Sequence, residues 1–373
     1  MSELVDVIVT GHLCVDLVPR TSNIPLERLV VPGRVIEIGP LDISTGGSVS
    51  NTGLALHRLG VNVRLMATIG DDLLGRVVLA FLEGRDPKLT QYVTVRPGEQ
   101  GSYTIVVSPQ NADRVLMHYP GANTHFGVTE VDFSLLQGAK LFHLGYPPIL
   151  FRLMANDGEE LEEIYRRAKA TGIVTSMDTS LPDPDGPAGR VNWRTILRRS
   201  LPYVDVFMPS IEEIIFMLRR SDHEAWKGRV LTHLTADYLA ELAAELLDMG
   251  AVIVGFKLGE LGFYLRTAEE ERFQRLAKLS LDNKVWADVT LWKPAFQVEV
   301  VGATGAGDSA YAGFLGALLK GMSPEQAVTW ACAVGACNVE AADATSSVRS
   351  WEATQARMDA GWPTRSERLP GYS

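Results

Sequence analysis

The chain has 373 residues, of which 46% are hydrophobic and 21% charged, a globular balance with enough apolar content for a sizeable core. Its formal net charge of -10 repels phosphate backbones, and no Lys/Arg-rich run offsets it, so a nucleic-acid partner is not expected. No apolar run approaches membrane-spanning length, and the three cysteines are an odd, sparse set in which Cys332 and Cys337 lack zinc-type spacing and read as buried free thiols.

In chain order, "MSELVDVIVTGHLCVDLVPR" has neither a basic leader nor a cleavable small-residue site. It reads as a first strand, and the expected location is the cytoplasm. Residues 18–45, with "LVVPGRVIEIGPLDIS", read as strands and turns without a helix. A helical pattern follows Asn51, then the strand "VRLMATIG" and the helical "LLGRVVLAFLEG". Residues 98–126, "GSYTIVVSPQNADRVLMHYPGANTHF" among them, again read as strands and turns. From "KLFHLG" onward the alternation resumes, through "GEELEEIYRRAKATG", "IVTSMD", "VDVFMPS" and "ELAAELLDMG" to "AVIVGFKLG". This alternation predicts an α/β fold, a single wound domain with a mainly parallel central sheet and helices on both faces. The two β-rich insertions, 18–45 and 98–126, pair into a small antiparallel flap or stand as separate hairpins. Residues 221–237 and 267–296 have no evident use in such a fold.

Residues 300–321, "VVGATGAGDSAYAGFLGALLKG", place Gly302, Gly305 and Gly307 before an apolar helical run that ends at Gly321. Ser323, Pro324 and Gln326 then form the start signal of a further helix. A glycine loop feeding a helix N-terminus presents free amides and about half a positive charge, which suits a phosphate or a developing oxyanion. Asp308 at that mouth is either a base that takes a proton from an attacking hydroxyl or a favourable first-turn helix acid. No Lys-Ser/Thr pair follows the glycines and the dinucleotide spacing is absent, so neither of those nucleotide loops applies.

The segment Thr304-Gly305-Ala306-Gly307-Asp308 resembles the C-terminal signature of the ribokinase-like, or PfkB, carbohydrate kinases. "GGSVSNTGLALHRLG", residues 46–60, resembles the N-terminal signature of the same family, and the likeness runs from about Val5 to Val348. The resemblance implies a ribokinase-like three-layer wound domain with a small β-strand lid built from about 18–45 and 98–126. It implies an ATP-dependent kinase acting on a hydroxyl of a sugar or sugar-like polyol. Asp308 would be the base, and the amides of Gly305, Ala306 and Gly307 the anion hole. Asp16, Gly46, Gly47, Asn51 and Asn123 would line the sugar site, with Arg114 and His118 reaching in from the lid. Ser210, Lys257, Gly259, Thr304 and Asn338 would face the nucleotide, and Glu213 would help hold Mg²⁺ through water. Ser210 stands where the family has Asn. Gly302 stands where it has an aspartate beside a monovalent-cation site, so weak or absent K⁺ activation is expected. Lid strands often pair between subunits in this family, which implies a homodimer. Two other readings remain open: a nucleoside kinase of the same fold, using aromatics such as Tyr103, Phe126 and Tyr146, and a catalytically silent sugar or nucleotide sensor.

Overall fold

A computed structural model describes residues 4–112 and 114–372. Its strands are β1 (Val5–Gly11), β2 (Cys14–Pro19), β3 (Leu41–Gly46), β4 (Val63–Gly70), β5 (Tyr92–Arg96), β6 (Tyr103–Val107), β7 (Val115–Tyr119), β8 (Ala139–Gly145), β9 (Val174–Met177), β10 (Val206–Phe207), β11 (Ile253–Lys257), β12 (Phe263–Thr267) and β13 (Thr290–Lys293). Nine of them form one sheet in the order β13-β12-β11-β10-β9-β8-β1-β4-β5. From β11 to β5 every pairing is parallel, and β12 and β13 close the other edge as antiparallel strands. Parallel strands are covered on both faces, which is why β4, "VRLMATIG", is buried at every residue. The Ser48–Arg58, Ala306–Leu319 and Pro324–Asn338 helices pack together, while Phe151–Ala170, Trp193–Ser200 and Ile211–Leu218 form another contiguous group. The chain is thus a wound α/β domain around a mainly parallel sheet.

Local signals explain where the helices begin. Ser323 caps the Pro324–Asn338 helix by accepting from the Gln326 amide at 3.3 Å, and Gln326 returns a bond to the Ser323 amide at 3.0 Å. The Phe151–Ala170 helix is broken: Asn156, Asp157 and Gly158 take left-handed conformations, with φ of 51°, 53° and 78°. Arg199 braces the break by donating to the Asn156 carbonyl at 3.1 Å. Asn, Asp and Gly are the residues that enter this region at least cost, so the regular helix starts at the "GEELEEIYRR" run. One tyrosine anchors the Ala306–Leu319 helix to the sheet. The buried Tyr311 hydroxyl lies 3.1 Å from the Met177 carbonyl and 3.0 Å from that of Val206, at the ends of β9 and β10.

The other four strands form a separate sheet in the order β3-β2-β6-β7. Its outer pairings are antiparallel, but β2 and β6 run parallel, because each enters from the main sheet in the same direction. The first of these strands begins at Cys14, ahead of the β-rich segment read from the sequence. "VVPGRVIEIG" forms no strand. Val35 is fully exposed and Ile38 half exposed, and with no partner strand alongside, Pro32 and Gly33 leave this segment irregular. A single helical turn, Leu26–Leu29, also interrupts it. Residues 221–237 fold as a short helix and a turn in which Trp226 stacks on His233 at 4.9 Å. Residues 267–296 supply β13. All three cysteines are free and buried. Among the described residues no helix is long and apolar enough to cross a membrane.

Candidate active site

The C-terminal ends of the parallel strands converge on the N-terminus of the Ala306–Leu319 helix, the usual place for a site in such sheets. His12 follows β1, Tyr146 follows β8, Asp178 follows β9, Ser210 follows β10, and Lys257 ends β11. Gly305 caps the helix with φ of 71°, and a Cβ there would stand 2.7 Å from the Ala344 side chain, so the position demands glycine twice over. The first helical hydrogen bond runs from the Ser309 amide to the Gly305 carbonyl at 2.8 Å. The amides of Gly307 and Asp308 therefore point out of the helix end, where an anion can meet them.

Asp308 is 3% exposed and gripped by three donors. Asn51 Nδ2 reaches Oδ2 at 3.1 Å, Thr52 Oγ1 reaches Oδ1 at 3.3 Å, and the Tyr146 hydroxyl donates to Oδ2 at 2.6 Å. Asn51 and Thr52 lie inside the Ser48–Arg58 helix, so the first signature supplies two of this carboxylate's three partners. Tyr146 gets there through a left-handed backbone, φ 65°, just before Pro147 and Pro148. A non-glycine residue in that region costs about 1–3 kcal/mol. A hydrogen bond to a charged group contributes about 1.5–3 kcal/mol, enough to offset it. Burial, and then the Asp308 charge, raise the Tyr146 phenol well above its ordinary range, so it stays a donor.

The small sheet faces this carboxylate with a polar row. Registry sets Ser44, Asp16, Thr104 and His118 side by side on one face. Asp16 packs so tightly on Gly46 that a Cβ there would overlap its carboxylate at 2.2 Å. Burial raises the Asp16 carboxyl to about 6, the Cys14 and Thr104 side chains partly offsetting it and Asp308 adding to it. His12 sits against Gly47 and edge-on to His118, ring centroids 4.8 Å apart, and burial keeps it neutral. Asn123 donates to the Leu13 carbonyl at 2.8 Å. His12 Nδ1, Asn51 Oδ1 and Asn123 Oδ1 are buried without a partner among the described residues, an unmet polar demand that a polyhydroxylated ligand would answer. From beside β7, Arg114 donates to the Thr304 hydroxyl in the glycine loop.

On the opposite side of the helix end lies a cavity of about 440 Å³. Ser210, Lys257, Gly259 and Gly307 line its polar end, while Phe296, Val298, Val300 and Ala336 are among its apolar walls. Segment 267–296 thus contributes to the cavity through Phe296, and the C-terminal stretch does so through Arg365. Thr304 and Asn338 do not line it. Thr304 is engaged by Arg114, and Asn338 is fully buried, its amide given to the Ala344 carbonyl. The family analogy fails for Asn338 because its side chain braces the loop beneath the glycines instead.

Lys257 Nζ bonds both oxygens of Asp178, at 2.6 and 2.8 Å. Burial opposes its charge, but Asp178, Glu213 and Asp308 outweigh that and hold it protonated. Burial raises the Asp178 carboxyl, against the pull of Lys257. Glu213 Oε2 accepts from Thr179 Oγ1 at 2.7 Å and from the Ser210 amide at 2.9 Å, and Ser210 Oγ accepts from the Glu213 amide at 3.3 Å. Ser210 and Glu213 therefore form a capping box, so serine at the family's Asn position has a role of its own. Asp178 and Glu213 are hard oxygen donors of the kind Mg²⁺ takes alongside several waters. No cluster of three or more metal-binding side chains occurs among the described residues, so water and ligand oxygens would complete such a shell.

Sequence reasoning missed Thr52, His12 and Asp178. The last carried a signal, a carboxylate closing the strand run "IVTSMD" at the end where sites form. The aromatics offered for the nucleoside-kinase alternative, Tyr103, Phe126 and Tyr146, are dispersed: Phe126 is in the core, Tyr103 pairs with Tyr119 at 5.5 Å, and Tyr146 is on Asp308.

Solved structures share this architecture. A ribokinase of Arabidopsis thaliana complexed with ribose and ATP superimposes with a TM-score of 0.72 over 95% of this chain and 98% of that one, at 17% identity. The likeness is one of fold. The pfkB family carbohydrate kinase pattern matches residues 5–351, and the chain belongs to that family. Among curated relatives, an uncharacterized sugar kinase of Archaeoglobus fulgidus is 25% identical over 73% of this chain and 89% of its own length. A 2-dehydro-3-deoxygluconokinase of Thermoproteus tenax is 24% identical over 84% of this chain and 85% of its own.

The raised carboxyl of Asp16 has a consequence for stability. Between its ordinary 3.8 and its folded value of about 6 the folded state binds more protons than the unfolded chain, so this group's contribution falls as pH rises. The shift corresponds to about 3 kcal/mol at most. Asp16→Asn is expected to stabilise the ligand-free protein at pH 7.5 by about 1–3 kcal/mol in urea unfolding, with the gain shrinking toward pH 4. Equal stability at pH 7.5 would contradict the burial argument.

Proposed function

We propose that this protein is an ATP-dependent kinase that transfers the γ-phosphoryl group to a hydroxyl of a sugar or sugar-like polyol. The observation that carries the reading is the position of Asp308. It stands at a helix N-terminus between the apolar-walled cavity ending at Lys257 and the polar row containing Asp16. In that arrangement the adenine takes the cavity, and Lys257 and the amides of Gly305, Gly307 and Asp308 receive the phosphates, the Ala306 amide expected among them being turned instead to the Ala303 carbonyl at 3.4 Å. Asp16, the Gly46–Gly47 turn, Asn51 and Asn123 orient the acceptor. The acceptor oxygen attacks the γ-phosphorus, the bond to the ADP oxygen breaks, and the acceptor proton passes to Asp308. Mg²⁺, held through water near Glu213 and Asp178, would neutralise phosphate charge. Three reduced thiols and the need for ATP fit a cytoplasmic protein.

The four-stranded sheet acts as a lid over the acceptor, and Arg114 on Thr304 links it to the glycine loop. Closing it excludes water, the competing acceptor. Its far face carries Leu17, Ile43, Ile105 and Met117 in one row, with Ile43 and Met117 41% and 48% exposed. An exposed apolar face on a sheet with two open edges fits a second copy of the chain, so we read the protein as a homodimer through its lids.

The chemistry is tested by ADP release from Mg-ATP against a panel of ribose, fructose, 2-keto-3-deoxygluconate, inositols and nucleosides. Turnover on a sugar is expected, with Asp308→Asn reducing kcat by about 10²–10⁴-fold. Binding of ATP and sugar without turnover would instead select a sensor, and turnover on nucleosides alone a nucleoside kinase. Analytical ultracentrifugation is expected to show a dimer at micromolar concentration, and Met117→Glu to dissociate it; a monomeric wild type would remove the lid interface. Gly302 has no side-chain oxygen, and a Cβ there would stand 2.9 Å from the Ala341 carbonyl, so no carboxylate can enter. Exchanging Na⁺ for K⁺ at fixed ionic strength should therefore change kcat by less than about twofold, whereas a site completed by a carboxylate would respond more strongly.

A further inference from the structure

Among the described residues, Tyr146 is the side-chain donor on Asp308 that does not come from the Ser48–Arg58 helix. Asn51 and Thr52 approach from within the Ser48–Arg58 helix and are buried, at 4% and 0% exposure, while Tyr146 is half-buried. Oδ2 already receives both the Asn51 amide and the Tyr146 hydroxyl, the two hydrogen bonds a carboxylate oxygen ordinarily accepts. The tyrosine ring also lies near-parallel to His12, centroids 6.4 Å apart and planes 24° apart. What the Tyr146 O–H does to Oδ2, donating a short hydrogen bond at 2.6 Å, is what an acceptor hydroxyl must do before it attacks.

We propose that Tyr146 is a positioning residue that holds the place of the acceptor hydroxyl on Asp308 Oδ2 and so denies that oxygen to water until the acceptor displaces it. This rests on the kinase reading above, and it addresses a problem any such enzyme faces. With ATP bound and the acceptor absent, a water on Oδ2 would attack the γ-phosphorus. Its proton would pass to Asp308, the bond to the ADP oxygen would break, and ATP would be lost as ADP and phosphate. The phenol is a poor surrogate nucleophile, because its backbone is fixed by the left-handed turn and the two prolines that follow. Burial beside Asp308 also keeps its proton on the oxygen. Replacing it by phenylalanine removes one oxygen atom and leaves room for one water in the same place.

The test is ADP release from Mg-ATP without any acceptor, compared among wild type, Tyr146→Phe, Asp308→Asn and the double variant, with thermal melting as a check on folding. Tyr146→Phe is expected to raise acceptor-independent hydrolysis at least about fivefold, and adding Asp308→Asn to abolish the increase. Tyr146→Leu, which also lacks the donor, should behave alike and serves if the Phe variant folds poorly. Unchanged hydrolysis in both Tyr146 variants would overturn the proposal, as would an increase that persists without Asp308. A higher KM for the acceptor with unchanged hydrolysis would make Tyr146 a substrate contact instead and also overturn it. Because the assay needs no acceptor, its outcome is separable from the kinase reading, which falls if the wild type phosphorylates nothing on the panel.

Discussion

The structure turns on one buried carboxylate. Asp308 lies 257 residues from Asn51 in the chain, and their side chains meet at 3.1 Å. That contact fastens the Ser48–Arg58 helix to the Ala306–Leu319 helix, and the Tyr146 bond ties both to the turn after β8. A carboxylate so buried is held only by donors that satisfy it, since an unpaired charge in that position would cost several kcal/mol. The donors therefore fix where the helix end points, and with it where the free amides of Gly307 and Asp308 face. The two signatures, far apart in sequence, are the two halves of one hydrogen-bonded joint.

Charge distinguishes the two sides of the helix end. Asp16, Asp178, Glu213 and Asp308 gather around one helix end, and on their own they would repel a triphosphate. Lys257 is held charged by three of them, and the helix dipole adds a further partial positive charge. The cation and the amides are thus concentrated on the cavity side, while the raised Asp16 carboxyl belongs to β2 of the four-stranded sheet. The asymmetry suits an anionic donor on one side and a neutral, hydroxyl-rich acceptor on the other.

Much of this was legible in the sequence, for reasons that can be named. The alternation of apolar runs with helical periods gave the parallel sheet, because strands covered on both faces must be continuously apolar, as β4 is. Ser323, Pro324 and Gln326 marked a helix start because capping is a local interaction. What escaped depends on contacts between distant segments. Tyr146 was visible as an aromatic, but nothing local shows that a left-handed turn aims its hydroxyl at a residue 162 positions away. The non-strand at residues 30–40 failed for a related reason: β propensity needs a partner strand, and none is adjacent. Asn338 was misplaced because family position was read as side-chain direction.

The two departures from the family pattern, Ser210 and Gly302, are both compensated locally. Ser210 keeps the helix cap that its neighbours need, and through it Glu213 is fixed by the Thr179 hydroxyl and the Ser210 amide. Gly302 is crowded by the backbone of Ala341 and Ala342, and Gly305 by that of Ala344. The buried Asn338 side chain holds Ala344 in turn, and the Ser347 hydroxyl donates to the Asn338 carbonyl at 2.7 Å. The glycine loop is therefore shaped by direct packing against residues 341–347. A bound ion with its carboxylate is one way to set the curvature of an anion hole. Here the backbone of residues 341–344 packs directly against Gly302 and Gly305.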